Sequence, residues 1–285
     1  MQILETHTSK TQELPIRFQE YGVAIFKTIT TKSALKKAIK KKQIYIDGIL
    51  ATTSKFILGG EQIDLVKTKE NRSQKKLALN LEVLFEDDYL AIIFKPPGVL
   101  VSGNKFVTVV NALPQNLKRS KQKDAIHPQP IHRLDYPTSG LLLVGKTISS
   151  IQILSKLFEH KKIKKTYYAV VIGKICSGGT INFAVDNKNA STLFTVMKTV
   201  ESKRFIFLNL VKLSPKTGRK HQLRKHLSSI GHQILGDKDY GEKELFLKGK
   251  GLYLHAYKLE FLHPFTKEKI IISKKLPQKF SKIFP

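Results

Sequence analysis

Cysteine is nearly absent. Cys176 stands alone, which excludes an intramolecular disulfide and any cysteine cluster for zinc; it reads as a small buried or half-buried residue. Long apolar runs are missing too: nothing approaches the ~18 residues needed to span a bilayer, and residues 1–10 lack the apolar core of a secretory signal. A cytoplasmic protein with no membrane partner is the expectation. Acidic side chains are scarce, with 22 Asp and Glu against 50 Lys and Arg, a formal net charge of +28. Such a field concentrates polyanions and makes nucleic acid the first partner to consider, ahead of an anionic membrane. A lysine-rich surface also serves solubility, so charge alone does not choose.

What is present is ordinary hydrophobic content, 41% over 285 residues, enough for one domain of about 200 residues and a smaller module. Residues 1–14 are polar and read as a flexible tail. Residues 15–67 read as a small αβ module. Pro15 opens a helix with Phe18, Tyr21, Ile25 and Phe26 as its apolar positions. A second helix, capped by Thr30 or Thr31, turns Ala34, Leu35, Ala38 and Ile39 inward and leaves a cationic stripe that includes Lys36, Lys37 and Lys40. Then Ile44-Tyr45-Ile46 alternates as a strand, Asp47-Gly48 signals a hairpin, and Gln62 to Val66 returns after Gly59-Gly60. Residues 68–80 are charged, without apolar period, and read as a linker.

The larger domain, 81–285, begins with strands at Leu81–Phe85 and Leu90–Phe94. Lys95-Pro96-Pro97-Gly98 cannot continue a ladder, which puts Lys95 on a rigid corner facing solvent or a phosphate. Residues 103–124 are basic, poorly patterned apart from Phe106 to Leu113, and expected to cross the surface. Thr147 caps a helix with Ile148, Ile151, Leu154, Leu157 and Phe158 inward. Alternation along the strand from Lys164 to Val171 sends Tyr167 and Tyr168 to opposite faces. Further on, Leu223, Leu227 and Ile230 mark a buried helix face while Arg219, Lys220 and Arg224 point elsewhere, and Gly231 ends that helix. Strand-dominated segments with two well-marked helices predict an α+β domain built on a mixed, largely antiparallel sheet.

The stretch richest in chemistry is Ile131-His132-Arg133-Leu134-Asp135-Tyr136-Pro137-Thr138-Ser139-Gly140, a loop anchored by the apolar strand that follows it. A salt-bridged structural turn is the plain alternative. A Ser/His/Asp hydrolase using His132, Asp135 and Ser139 fails on geometry, because triad members converge from separate elements and no Gly-x-Ser-x-Gly elbow is present. A metal site at His221 and His226 fails on spacing, since five residues apart on a helix the two diverge with no third ligand beside them. The remaining reading is Asp135 alone as a catalytic carboxylate, its charge partnered by the Arg219/Arg224 segment.

His132-Arg133-Leu134-Asp135-x-x-Thr138-Ser139-Gly140 resembles the active-site motif of the RluA-type pseudouridine synthases. Four further stretches resemble that family in order: Glu86 to Gly98; Lys165-Thr166-Tyr167; Thr217-Gly218-Arg219-Lys220-His221-Gln222-Leu223-Arg224; and Gly231-His232-Gln233-Ile234-Leu235-Gly236-Asp237, with Gln233 where the family has Pro. Leu254-His255-Ala256 and His263-Pro264 follow. Residues 15–67 resemble the S4 RNA-binding module through the lysine-rich helix, the Asp47-Gly48 hairpin and the Gly59-Gly60-Glu61-Gln62-Ile63 turn. The resemblance implies an RNA pseudouridine synthase, an isomerase needing no metal or redox cofactor. Asp135 would attack the uridine or abstract a proton as the base detaches. Tyr167 would stack on the flipped base, Arg224 would pair with Asp135, and Arg133 would fill the vacated stack. His132, Lys95, Arg219, Lys36, Lys37 and Lys40 would contact RNA, with ribosomal RNA favoured, transfer RNA second and a monomer as the default. A non-catalytic RNA-binding or ribosome-associated protein is the competing class.

Overall fold

One capping hydroxyl and one Asp-Gly turn set the N-terminal part of the chain. In the computed structural model, which describes residues 2–67, 77–245, 247 and 249–285, Thr31 Oγ1 accepts from the Ala34 amide at 3.1 Å and starts the helix Lys32–Lys40. Leu35 and Ala38 are buried while Lys36, Lys37 and Lys40 stay exposed. Asp47 and Gly48 both take positive φ, 48° and 77°, which closes a tight hairpin between Ile44–Ile46 and Ile49–Leu50. This unit covers Met1–Lys75.

Two expectations fail here. Gln2–Thr8 is no flexible tail but an edge strand pairing antiparallel with Gln62–Lys67. It lacks an apolar face, and polar pairs tie it down instead: Thr6 Oγ1 donates to Asp64 Oδ1 at 2.7 Å, and Ser9 bonds Glu61. The expected helix from Pro15 to Phe26 shrinks to Phe18–Tyr21. Gly22 ends it where a Cβ would run into the Phe18 ring and Leu35. Of the expected linker, residues 68–76 lie outside the described residues, and 77–80 belong to the larger unit: Leu77 is buried in its core and the Gln115 side chain donates to the Leu77 carbonyl.

The larger unit, Lys76–Pro285, is organised on a ten-stranded sheet. Its order is Gly178–Ile181, Thr192–Ser202, Ile206–Pro215, Lys164–Ile172, Leu254–Leu262, Ser139–Thr147, Leu90–Lys95, Val83–Glu86. Ala125–Pro130 is added beside Ser139–Thr147, and Lys269–Ser273 beside Leu254–Leu262. Among the described residues every pairing between the strands of this sheet is antiparallel except one: Ser139–Thr147 meets Leu254–Leu262 in parallel, through Ser139 with His255 and Gly140 with Ala256. That short seam joins two half-sheets, and packing runs across it, since Leu90, Leu141 and Leu143 share an apolar cluster with Leu259 and Phe261. Ser139–Thr147 is buried throughout, with Leu142 and Val144 in one apolar cluster and Leu141 and Leu143 in another. This explains its unbroken apolar run. The other half packs Val170, Val171, Val211, Leu213 and Leu227 together, closed by Phe280 and Phe284 from the C-terminal segment.

Three more corrections concern surfaces. Residues 103–124 do not simply cross the surface, because Thr108 caps a helix, Val109–Asn116, whose Val109, Ala112 and Leu113 are buried. Pro114 inside it and the exposed Phe106 and Val107 before it blurred the period. In the helix Ile148–Glu159 the Thr147 cap is as expected, but Ile148 points outward and is 48% exposed. Cys176 is exposed. No described helix is long and apolar enough to cross a membrane.

The seam depends on one glycine. Gly140 sits at φ 127°, and a Cβ there would collide with the backbone of Ala256. Gly140→Ala combines steric overlap with backbone strain and is expected to destabilise the protein by about 2–4 kcal/mol. Urea unfolding reads this directly, and an unchanged midpoint would mean that the two half-sheets are not locked at this point.

Candidate active site

Asp135 is the last acidic or basic side chain before the seam. Its loop is built as a turn in which the Thr138 amide donates to the Asp135 carbonyl at 3.0 Å, with Leu134 buried behind it. Beneath the turn lies Lys95, which is fully buried, not turned to solvent or a phosphate as expected. Its ammonium donates to the carbonyls of Pro96 and Thr138, both at 2.8 Å, and more weakly to Tyr136 at 3.4 Å. The Gly98 amide adds a bond to the Tyr136 carbonyl at 2.8 Å. Burial pushes the Lys95 amine down to about 8, against the opposing pull of the Asp135 charge. Lys95 is thus an internal tie for the loop.

Above the loop is a cavity of about 300 Å³ lined by His132, Arg133, Asp135, Phe158, Lys165, Tyr167, Arg219, His221 and Arg224, among others. That is the size of a pocket for one small ligand. Tyr167 stands on the strand Lys164–Ile172, where a register shift between Thr166 and Tyr167 interrupts pairing with Leu254–Leu262. Burial, with the Asp135 charge added, raises its phenol well above the usual tyrosine range. It offers a ring face and a retained proton. Tyr168, as expected, takes the other face and meets Tyr257 edge-on at 5.0 Å.

The helix Gln222–Ser229 brings the cations. Arg224 does not point away from the core but is buried, and its expected pairing with Asp135 is only partial. Its Nε donates to Asp237 Oδ2 at 2.7 Å, its Nη2 to Asp237 Oδ1 at 2.5 Å and to Asp239 Oδ2 at 2.7 Å. Nη1 is left, 4.0 Å from Asp135 Oδ2. Burial alone would lower the guanidinium's hold on its proton, and the bonds to Asp237 and Asp239 more than reverse that. Tyr240 lies against the guanidinium, 4.8 Å from its ring centre to Cζ.

His221 is closer to Asp135, Nε2 lying 3.6 Å from Oδ1. It occupies the N-cap position with left-handed backbone, φ 55° and ψ 22°, a conformation costing a non-glycine residue on the order of 1 kcal/mol. Gln222 holds it there. The Gln222 side-chain oxygen accepts from Thr217 Oγ1 and the Arg219 amide, at 2.7 and 3.0 Å, and its nitrogen donates to Ser191 O and Thr192 Oγ1, at 3.1 and 2.9 Å. His226 faces Thr192 and the Phe183 carbonyl, so the two histidines diverge. Among the described residues no three His, Cys, Asp or Glu side chains are grouped to hold a metal.

The remaining candidates separate. Arg133 is exposed at the cavity, and so is Arg219, whose Nε donates to the Asn189 carbonyl at 3.2 Å. His132 lines the cavity with its ring already engaged. It stacks on Phe158 at 4.7 Å and accepts the Leu143 amide at 3.2 Å, and burial next to Lys165 pushes it down to about 3. Asp239 and Tyr240 carried no sequence signal. Asp237 did have one, as the last residue of the Gly231–Asp237 motif, where Gly236 at φ 81° makes the turn that aims it.

Losing the Lys95 tie leaves buried carbonyls without a donor, and Lys95→Met is expected to cost about 2–4 kcal/mol. Between about pH 8 and 10.5 the unfolded chain keeps a proton that folded Lys95 has released. Unfolding then takes up a proton, so the wild type gains stability relative to the variant as pH rises through that window. Urea unfolding of both proteins across it checks the sign, and parallel curves would sink the assignment.

Residues 89–229, which contain the Asp135 loop, Tyr167 and Arg224, match the family described as RNA pseudouridylate synthase. The ribosomal large subunit pseudouridine synthase D of Buchnera aphidicola subsp. Schizaphis graminum is 34% identical over 279 residues, covering 87% of each chain. The tRNA pseudouridine synthase C of Haemophilus ducreyi is 34% identical over 233 residues, covering 72% of this chain and 95% of its own. Among solved structures, human RNA pseudouridylate synthase domain containing 4 superposes with a TM-score of 0.57 at 25% identity, over 70% of this chain and 90% of that one.

Proposed function

The chain belongs to the RNA pseudouridylate synthase family, and from that premise we propose that it acts on large-subunit ribosomal RNA with Asp135 as its catalytic carboxylate. Family membership makes it an isomerase that converts uridine to pseudouridine in RNA. The reaction breaks an N-glycosidic bond, turns the base and forms a C-glycosidic bond. The observation that carries the role of Asp135 is its place in one cavity with Tyr167, His221 and Arg224.

A base inside a stack is out of reach, so the target nucleotide must be extruded at a cost of a few kcal/mol. The Tyr167 ring offers the extruded base a stacking face, and its phenol keeps its proton. Arg133, exposed on the same loop as Asp135, is the group that fills the space left in the RNA. Asp135 acts at the ribose, as nucleophile or as base while the uracil detaches. Arg219 at the rim binds phosphate. A protein that only bound RNA would have no use for a carboxylate among these cations.

Ribosomal RNA is favoured over transfer RNA by length. The transfer RNA relative uses 95% of itself to match 72% of this chain, whereas the ribosomal relative matches 87%. The N-terminal unit we read as an S4-like anchor gripping phosphates through Lys36, Lys37 and Lys40. Such contacts add affinity without reading sequence. The enzyme works as a monomer in the cytoplasm.

Asp135→Asn is expected to abolish pseudouridine formation while leaving RNA affinity unchanged, as read by pseudouridine mapping and filter binding. Product at the wild-type rate would remove Asp135 from the mechanism. The triple change K36Q/K37Q/K40Q should lower the slope of log affinity against log salt by about 2. An unaltered slope would mean that this helix is not an RNA anchor.

A further inference from the structure

Isomerisation leaves a proton to be moved that Asp135 is poorly placed to handle. Once C5 of the uracil has bonded to the ribose C1′, that carbon still carries its hydrogen. The product forms when C5–H breaks, its electron pair closes C5=C6, the C6=N1 pair shifts to N1, and N1 takes up one proton from the surroundings. Protons and electrons balance, but a base is needed beside C5. Asp135 is at that moment separating from, or still facing, the ribose.

We infer that His221 is a second catalytic residue, whose Nε2 takes the C5 proton; this rests on the isomerase reading above. Four observations converge. His221 lines the cavity with Asp135, and its Nε2 is 3.6 Å from Asp135 Oδ1, too far for a hydrogen bond that would occupy it. Its other ring nitrogen is already engaged, Nδ1 lying 2.8 Å from the Tyr240 hydroxyl, which fixes the ring and leaves Nε2 facing the cavity. Its backbone is held left-handed at φ 55° by the fully bonded Gln222, and such strain is kept where surrounding structure imposes it. Two other titratable groups in the cavity are unsuited. His132 Nε2 accepts the Leu143 amide, and Tyr167 holds its phenolic proton tightly.

Charge favours the same assignment. Burial, together with Arg224 and Lys220, lowers the His221 imidazole while Asp135 and Asp239 pull it back up, so it starts neutral and becomes a cation facing a carboxylate once it has taken the proton. Asp135 would stabilise that imidazolium without bonding to it in the resting site. Tyr240 orients His221 and also covers the Arg224 guanidinium, which makes it a positioning residue for both.

His221→Asn tests this, because asparagine tolerates left-handed backbone and its amide can replace the Nδ1 contact to Tyr240, while Nε2 is removed. On uridine-containing RNA the full-length variant is expected to lose on the order of 10²-fold in rate, with RNA affinity retained. Its residual reaction should show a primary isotope effect with C5-deuterated uridine that the wild type lacks, and this ratio does not depend on the fraction of variant folded. RNA carrying 5-fluorouridine has no C5 proton to remove, so variant and wild type should rearrange it at equal rates. Full activity of His221→Asn on uridine, no isotope effect, or equal slowing on uridine and 5-fluorouridine would each overturn the inference. Failure of the wild type to form pseudouridine in any RNA would instead count against the isomerase premise.

Discussion

The buried Arg224 guanidinium is the constraint around which the site is assembled. A cation out of water costs several kcal/mol unless its donors are matched, and here Asp237 and Asp239 match them through three bonds of 2.5 to 2.7 Å. Satisfying that requirement fixes much else. The helix Gln222–Ser229 must end where Gly231 turns the chain back, and Gly236 must take φ 81° to bring Asp237 under the guanidinium. The Asp237 carboxylate also accepts the amides of Asp239 and Tyr240, so the loop that covers Arg224 is organised by the carboxylate that neutralises it.

The architecture was largely legible in the sequence because most of it follows from local rules. Thr31 and Thr147 cap their helices, Asp47-Gly48 closes its hairpin, and the apolar run after Gly140 is a strand buried on both faces. What escaped has a common cause, which is that long-range partners decide it. Gln2–Thr8 becomes a strand through Asp64 and Glu61, far along the chain. Val109–Asn116 folds as a helix against a core that includes Leu77 and Leu142. At the site, the Asp135 loop, Tyr167 and Arg224 were identified by motif, and the cavity does unite them. Lys95 was misplaced because a lysine on a Pro-Pro corner looks exposed until the carbonyls of residues 96, 136 and 138 converge on it. Asp239 and Tyr240 lie outside any pattern that spacing reveals, since their role exists only once Arg224 is buried.

The parallel seam at Ser139–Gly140 and His255–Ala256 explains why the chemistry is where it is. Two half-sheets meet along two residue pairs, and pairing fans out to other partners on either side. A mixed sheet leaves space at such a junction. Asp135 comes from the loop feeding one half, and Tyr167 and Arg224 come from the other. Tyr167 and Arg224 are held by a strand and a helix, and Asp135 by a loop that Lys95 ties down.

A protein with a formal charge of +28 faces a conflict at a catalytic carboxylate, because the cations that attract RNA would also bind Asp135 and cover its oxygens. A bidentate arginine would block both lone-pair edges that a ribose carbon or proton must approach. The structure avoids this by filling the Arg224 fork with Asp237 and Asp239 first. Asp135 is then left with neighbours at 3.6 and 4.0 Å, near enough to act through charge and too long to occupy its oxygens. With 22 acidic residues in the whole chain, committing two of them to one arginine is a large share, and it keeps the third carboxylate of the cluster open to substrate.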